Sequence, residues 1–315
     1  MTLDEIKKIT NGKDFFYKKN VIVRKISSIE NSDKESIVFI FDKSNLSRSN
    51  LDAGLFIIPD DLNSQLDSKL NKLVVQNPRE AYTQLAVYFK QQYLQKKPFC
   101  LTKNCDHKKN LTTGKNVVIH KSVILGKNVI LGHNVVIHEN VVIGDNVEIG
   151  AGSIIGSEGF GNFLSINSNW QHLPHIGGVI IGSRVSIGSN CCIDKGMIND
   201  TVVSNGVIID NLVHIAHNVK IGENTAIAAK VGIAGSCVIG KRNMIGGMVG
   251  IVDHIKTADD VIISATSTVY KDINKPGIYT GIMPISNHAT WKRIALWITK
   301  LDKIAKFLNL KRSKL

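Results

Sequence analysis

The sequence is short of proline, with six in 315 residues, and short of acid, with 26 Asp and Glu against 39 Lys and Arg. Scarce proline beside 26 glycines and abundant Ile and Val favours repetitive β-structure over a helix-rich enzyme. The five cysteines are Cys100, Cys105, Cys191, Cys192 and Cys237. An odd count with no CxxC pair argues against a disulfide framework and a structural zinc site, so no metal is expected. No apolar run reaches the ~20 residues that cross a bilayer. The opening MTLDEIKK carries acids where an export signal needs a basic and then an apolar run. These absences predict a reduced, cytoplasmic protein with at most peripheral membrane contact. The formal charge of +13 calls for an anionic partner: nucleic acid, a phosphorylated small molecule, an acidic protein or a membrane surface. No nucleic-acid motif accompanies the charge, so nucleic acid is not expected.

What the chain does have is a period. From residue 117 the stretches VVIHKS, VILGKN, VILGHN, VVIHEN, VVIGDN and VEIGAG follow one another, with anchors at Ile119, Leu125, Leu131, Ile137, Ile143, Ile149 and Ile155. The pattern returns at Ile181, Ile187 and Ile193. It resumes at Val203 and runs through Ile215, Ile233 and Ile251 to Ile263 and Val269, with one weak position at Thr257. Period six fits neither a helix nor a simple strand. It fits a parallel β-helix in which three hexapeptides close one triangular coil, so residues 18 apart stack. Residues 157–178 loop out of the coil, and about four residues bulge out between Ile193 and Val203. A solenoid that only had to stand would need neither insertion, and loops on such a scaffold are where recognition concentrates.

Residues 1–98 read as a small α/β domain: strand-like runs (VIVRKI, SIVFIF, AGLFIIP, KLVVQN), then a helix from NPREAY with Pro78 in its first turn. Residues 99–116 read as a polar linker, 117–275 as the β-helix, and 276–315 as an extension carrying one basic helix. In that helix Trp291, Ile294, Ile298, Leu301, Ala305 and Leu308 form a heptad seam that suggests self-association. Lys292, Arg293, Lys300, Lys303 and Lys306 surround the seam, with Asp302 the only acid from Asn287 onward. That balance points to an acidic protein partner.

DNLVHIAHNVKIG places two imidazoles in an apolar segment. In the β-helix register His214 precedes anchor Ile215 on a flat side, and His217 follows it at a corner; both point outward. Gly235 stacks 18 residues after His217, and His254 lies near the same edge one coil on. A column of imidazole, backbone N–H and imidazole suits acyl transfer. A histidine of pKa ~6.5 takes a proton from an attacking amine or hydroxyl, and a fixed N–H meets the oxyanion.

The stretches IDNLVHIAHNVKIG, IAGSCVIG, GSEGFGNF, IDKG, PGIY and Trp291-Lys-Arg, with KLVVQNPREAYTQLA, strongly resemble the UDP-3-O-acylglucosamine N-acyltransferases of lipid A biosynthesis. The resemblance covers nearly the whole chain. It implies a mainly β protein: a left-handed parallel β-helix of hexapeptide repeats, with a small N-terminal α/β domain that binds uridine and a C-terminal helix. It further implies a homotrimer that moves a 3-hydroxyacyl chain from acyl carrier protein to a glucosamine 2-amine. No cofactor is implied, since the acyl donor rides on the carrier's phosphopantetheine. His217 would be the general base, the Gly235 N–H the oxyanion donor, and His254 a second active-site imidazole. Asp210, Asn211 and Asp194 would hold sugar or donor arm. Lys271, Lys292, Arg293, Lys300 and Lys303 would meet the carrier protein. The family's uridine motif appears here as Phe39-Ile-Phe41-Asp42-Lys-Ser-Asn45, without its usual final ring, so uracil stacking falls to Phe39 or Phe41. Glu158 and Lys195 stand where the family usually has Asp and Arg. Rival readings are a related sugar-nucleotide O-acyl- or N-acetyltransferase, a zinc carbonic anhydrase of the same fold, and a non-catalytic β-helix scaffold. The anhydrase needs three converging imidazoles, and no histidine lies upstream of His107 to join His133 and His138.

Overall fold

The computed structural model describes residues 1–15, 20–41, 51–96, 99–101, 111–165, 167–281 and 285–308. The hexapeptides form a parallel β-helix whose coils lay short strands into three sheets of nine, nine and six strands. Registers follow the period: His214 pairs with Gly232, which pairs with Gly250. The aliphatic anchors, all buried but the partly exposed Leu125, belong to one continuous core from Val117 to Ile273. Thr257, the weak anchor, is also buried. Its hydroxyl accepts from the Gly240 N–H at 3.0 Å and the Asn243 amide at 2.6 Å, so its polar atom is satisfied inside the core.

Corners explain the residues after each anchor. The third residue past an anchor is left-handed in coil after coil: Asn128, Asn134, Asn140 and Asn146 have φ of 56–60°. Asn tolerates this conformation better than most side chains. Between stacked corners the amides form ladders, Asn116 to Asn134 at 3.1 Å and Asn128 to Asn146 at 3.0 Å.

The N-terminal region is a five-stranded sheet ordered Lys13–Phe15, Lys72–Val74, Leu55–Ile58, Ser36–Phe39, Lys25–Ile26, antiparallel only at its first pair. It packs with helix α1 (Leu3–Thr10) and helix α2 (Pro78–Lys96). The sequence reading had not included α1, although Thr2-x-x-Glu5 forms a complete capping box at its start.

Three boundaries differ from expectation. The 99–116 linker contains two strands. Phe99–Leu101 pairs antiparallel with Val118–His120, and Leu111–Thr113 pairs in parallel with Val129–Leu131, so the coil begins before residue 117. Thr113 occupies an anchor register without an aliphatic side chain, which hid the repeat. At the other end Gly277–Tyr279 still pairs with Val261–Ile263. The compact first unit accordingly runs from Met1 to Thr280, and the second from Gly281 to Leu315. In the second unit the expected single helix is two, α3 (His288–Ile298) and α4 (Leu301–Phe307). Thr299 bonds back to the Leu296 carbonyl at 2.9 Å and the Lys300 N–H to the Trp297 carbonyl at 2.9 Å, so the turn tightens and the heptad seam is broken.

The N-terminal domain is not separate from the β-helix, because the coil insertions hold it. Phe163 and Leu173 from the first insertion lie in the same core as Leu3, Ile6 and Leu85. The buried Tyr82 hydroxyl donates to the Pro174 carbonyl at 2.7 Å, with the Met197 carbonyl of the second insertion 3.1 Å away. Tyr82→Phe should therefore lower stability in urea melts by about 1–3 kcal/mol, the scale of a lost buried hydrogen bond with stranded acceptors. An unchanged midpoint would remove this hydroxyl from the junction.

Candidate active site

Ile215, Ile233 and Ile251 stack in one sheet, so the residues two past each share one corner: His217, Gly235 and Asp253. Lys271, two past Val269, continues that edge. His254 is one residue further round, in the left-handed corner position with φ 61°. An open cavity of about 670 Å³ runs beside this edge, lined by His214, His217, Gly235, Asp253, His254 and Thr268, with Phe160 over it. His217 and Gly235 share the corner as expected, with Asp253 in the third place and His254 beside it. Asp253 was missed, though counting two past Ile251 finds it.

His217 is held on every side. Its Nδ1 lies 3.0 Å from Asn218 Oδ1. That oxygen also accepts from the Met197 N–H at 2.9 Å, while Asn218 Nδ2 donates to the Asn199 carbonyl at 2.7 Å. The amide orientation is thus fixed, and its oxygen facing the ring assigns the proton to Nδ1, leaving Nε2 with a free lone pair. Both clamping groups come from the second insertion. A Cβ on Gly235 would lie 2.7 Å from His217 Nε2 and Cε1, and one on Gly159 3.1 Å from His217 Cβ and Cδ2. Only glycine fits either place with the ring where it is.

The Gly235 N–H donates to nothing among the described residues. At three other corners the equivalent N–H is capped by the side chain 18 residues on: Lys115 by His133 Nδ1 at 2.7 Å, Lys127 by Asp145 at 2.7 Å, Lys241 by Asp259 at 2.8 Å. Here a buried corner N–H remains open beside a basic imidazole nitrogen.

His175, also missed by the sequence reading, packs edge-on against His217 with ring centroids 5.2 Å apart. It is 1 % exposed, and neither ring nitrogen has a hydrogen-bond partner among the described residues. Burial, then the nearby His217, pushes its pKa from 6.5 to about 4. Behind it Glu158 meets His172 Nε2 at 2.5 Å and pairs with Lys90, while Lys195 sits 4.0 Å away and pairs with Glu139 at 2.5 Å. Burial alone would raise the Glu158 pKa, but the bonds from Lys90 and His172 leave it lowered.

The remaining expected residues divide. Asp194 is buried beside the same sheet face, accepting from Ser157 Oγ at 2.7 Å. Asp210 and Asn211 follow Ile209, in a different sheet, so within one chain the structure does not bring them to the His217 edge. Asp210 bonds instead to the Asn211 N–H at 2.7 Å. Phe39 is a core ring, edge-on to Tyr82 at 5.3 Å. Phe41 is half-buried, with the Arg79 guanidinium 5.8 Å from its centroid. Both rings border a cavity of about 210 Å³ that also holds Ser28, Asn199 and Asn218. Asp42 and Asn45 lie outside the described residues. Lys271 is exposed, as are Lys292, Arg293, Lys300 and Lys303 in the second unit.

Two groups of side chains have metal-ligand spacing among the described residues, Glu158–His172–His175 and Cys192–Asp194–His214, each with its ligand atoms within 4.8 Å of one another.

His175 carries a pH signature. Its folded pKa lies below its unfolded one, so its neutral form's contribution is complete above about pH 6.5 and lost as pH falls toward about 4. His175→Gln should flatten the stability profile across that window. Parallel profiles for wild type and variant would show that His175 does not titrate in this way.

The family Bacterial transferase hexapeptide (six repeats) matches residues 122–157 and 200–235. UDP-3-O-acylglucosamine N-acyltransferase from Vesicomyosocius okutanii is 59% identical over 162 residues, 51% of this chain and 49% of that protein. The enzyme of the same name from Bordetella avium is 41% identical over 154 residues, 48% of this chain and 43% of its own. The chain thus spans about half the length of the curated relatives it matches. Among solved structures, UDP-N-acetylglucosamine acyltransferase from Campylobacter jejuni overlays with a TM-score of 0.46 at 24% identity, covering 55% of this chain and 68% of that one. The chain carries hexapeptide repeats and is similar over about half its length to UDP-3-O-acylglucosamine N-acyltransferases.

Proposed function

We propose that this chain is a sugar-nucleotide N-acyltransferase of lipid A biosynthesis, moving a 3-hydroxyacyl chain from acyl carrier protein to the 2-amine of UDP-3-O-acylglucosamine. The observation that carries the reading is the His217 Nε2 lone pair beside the uncapped Gly235 N–H, at the edge of an open cavity. The names of the relatives supply the substrate class.

In the reaction the amine nitrogen attacks the thioester carbonyl and forms the C–N bond. His217 Nε2 takes the amine proton, and the Gly235 N–H receives the oxyanion. As the C–S bond breaks, the departing sulfur takes the proton back from His217. Asn218 keeps Nδ1–H engaged throughout, so the ring gains charge without turning. His254 and Asp253 border the cavity one coil past Gly235, and Lys271, next along that corner, would offer a cation to a phosphate-bearing donor arm.

The floor of the cavity supports a long acyl chain. Between His214 and Thr268 the same face carries Gly232 and Gly250, and a Cβ at either would meet nothing within 4 Å. This bare strip distinguishes the reading from an acetyltransferase, which needs no such trough. The uridine would lie by Phe41, where Ser28 Oγ is buried without a partner among the described residues. An outer trough of about 390 Å³ with Ile208, Met244 and Ile262 at its rim offers an apolar face to further copies in a homotrimer, which would let Asp210 and Asn211 serve a neighbouring cavity. The exposed lysines and arginine of α3 and α4 suit an acidic carrier protein. No described helix is long and apolar enough to cross a membrane, and cytoplasmic action accords with the free Cys191, Cys192 and Cys237.

His217→Ala should lower acyl transfer by about 10²- to 10⁴-fold, followed by mass spectrometry of the acylated sugar nucleotide. More than about a tenth of wild-type turnover would take His217 out of the base role. Gly250→Val fills the strip without backbone strain and should penalise long acyl donors more than short ones. A uniform effect on all chain lengths would place the acyl chain elsewhere.

A further inference from the structure

We propose that Cys192, Asp194 and His214 form a binding site for a zinc-class divalent cation on the face of the β-helix that continues into the cavity. Strand alternation sends Cys191 into the core and Cys192 outward, and Asp194 follows on the same face. His214 lies directly beside Cys192 in the next coil. Cys192 Sγ is 3.6 Å from Asp194 Oδ1, and His214 Nε2 is 3.6 Å from Asp194 Oδ2. A tetrahedral zinc ion, with bonds of about 2.3 Å to sulfur and about 2.0–2.1 Å to nitrogen and oxygen, holds its ligand atoms roughly 3.3–3.6 Å apart. One ligand atom from each of the three side chains lies within 4.8 Å of the other two. Ser157 Oγ, 2.7 Å from Asp194 and 3.1 Å from Cys192, braces both from behind as an outer-shell hydroxyl.

Charge points to a cation independently of the distances. The Asp194 carboxylate is 7% exposed, and among the described residues the only basic group within ion-pair reach is His214. A buried carboxylate needs a counter-charge. A divalent ion displaces the Cys192 thiol proton to solvent and binds neutral His214, so two positive charges meet one thiolate and one carboxylate, and the site closes at zero. The other cluster, Glu158–His172–His175, fails this test: Lys90 already neutralises Glu158 and Lys195 stands beside it. The donor set of one sulfur, one nitrogen and one oxygen suits zinc or cobalt over magnesium or calcium. His214 also lines the cavity. An ion here withdraws His214 and Asp194 from substrate, a consequence that rests on the acyltransferase reading.

The test is titration of the reduced full-length protein with Co²⁺ and Zn²⁺. One cobalt per chain should bind with the near-ultraviolet absorption of a cobalt–thiolate bond, and zinc should displace it. Cys192→Ser should abolish that absorption, and His214→Gln should weaken binding by at least about tenfold, since even outer-shell changes cost that much. Native mass spectrometry gives the stoichiometry, and a melting curve confirms each fold. If Cys192→Ser does not fold, the exposed His214→Gln reads the site alone. No thiolate absorption, or binding unchanged in the variants, overturns the proposal. Zinc should also slow acyl transfer by wild type with the midpoint at which it displaces cobalt when the competition is corrected for cobalt's own affinity. Binding without inhibition keeps the metal site and sinks only its link to the reaction.

Discussion

A coil that closes every 18 residues sets each corner directly under the same corner of the next coil, as the ladder from Asn116 to Asn134 shows. Every backbone group at a corner must find its partner in that vertical direction, because the flat sides are already committed to the sheets. At some corners the demand is met by a side chain from the coil above: His133, Asp145 and Asp259 each cap the N–H 18 residues before them. At the His217 edge the side chain above is absent, because the residue there is Gly235. The missing side chain leaves room for the imidazole, and Asp253, 18 residues past Gly235, does not cap the Gly235 N–H among the described residues. An uncapped buried N–H costs stability, and at Gly235 that cost falls beside the imidazole, where a developing negative charge would be met.

The two insertions have the same double purpose. Each leaves the coil to grip the N-terminal domain, through Phe163, Leu173 and the carbonyls of Pro174 and Met197 around Tyr82. Each also returns a group to His217: Gly159 and His175 from the first, the Met197 N–H and Asn199 carbonyl through Asn218 from the second. Docking the domain and orienting the imidazole are therefore one structural act. The buried Lys195–Glu139 pair belongs to the same arrangement. A buried ion pair seldom adds stability, but this one sets a cation 4.0 Å from Glu158, at the root of the first insertion.

Period six was legible in the sequence because each anchor buries an aliphatic side chain, and that periodicity placed His217, Gly235 and His254 on one edge. Thr113 and Thr257 escaped the pattern, since one holds a register without burial and the other satisfies a hydroxyl inside the core. The missed site residues share one cause. His175, Gly159 and the Asn199 carbonyl approach His217 through loops whose path no periodicity encodes. Asn218 and Asp253 were within reach of counting, but their roles depend on which neighbours clamp them. Glu158 and Lys195 read as departures from a family pattern, whereas in the structure they belong to one charged cluster.

Backbone conformation gives no further mark of the site. His254 has φ 61°, which in isolation would suggest stored strain. Arg242, Lys230 and Met248 hold the same angle at other corners within a few degrees. The left-handed residue is thus a property of the corner, paid wherever the coil turns, and Asn is merely the side chain that tolerates it best. What marks the surroundings of the His217 ring is a buried imidazole whose pKa is pushed down to about 4, glycines above and beside the ring, and a bare Gly232–Gly250 strip alongside. The orientation of the ring's one fixed proton, toward Asn218, governs what Nε2 is free to do.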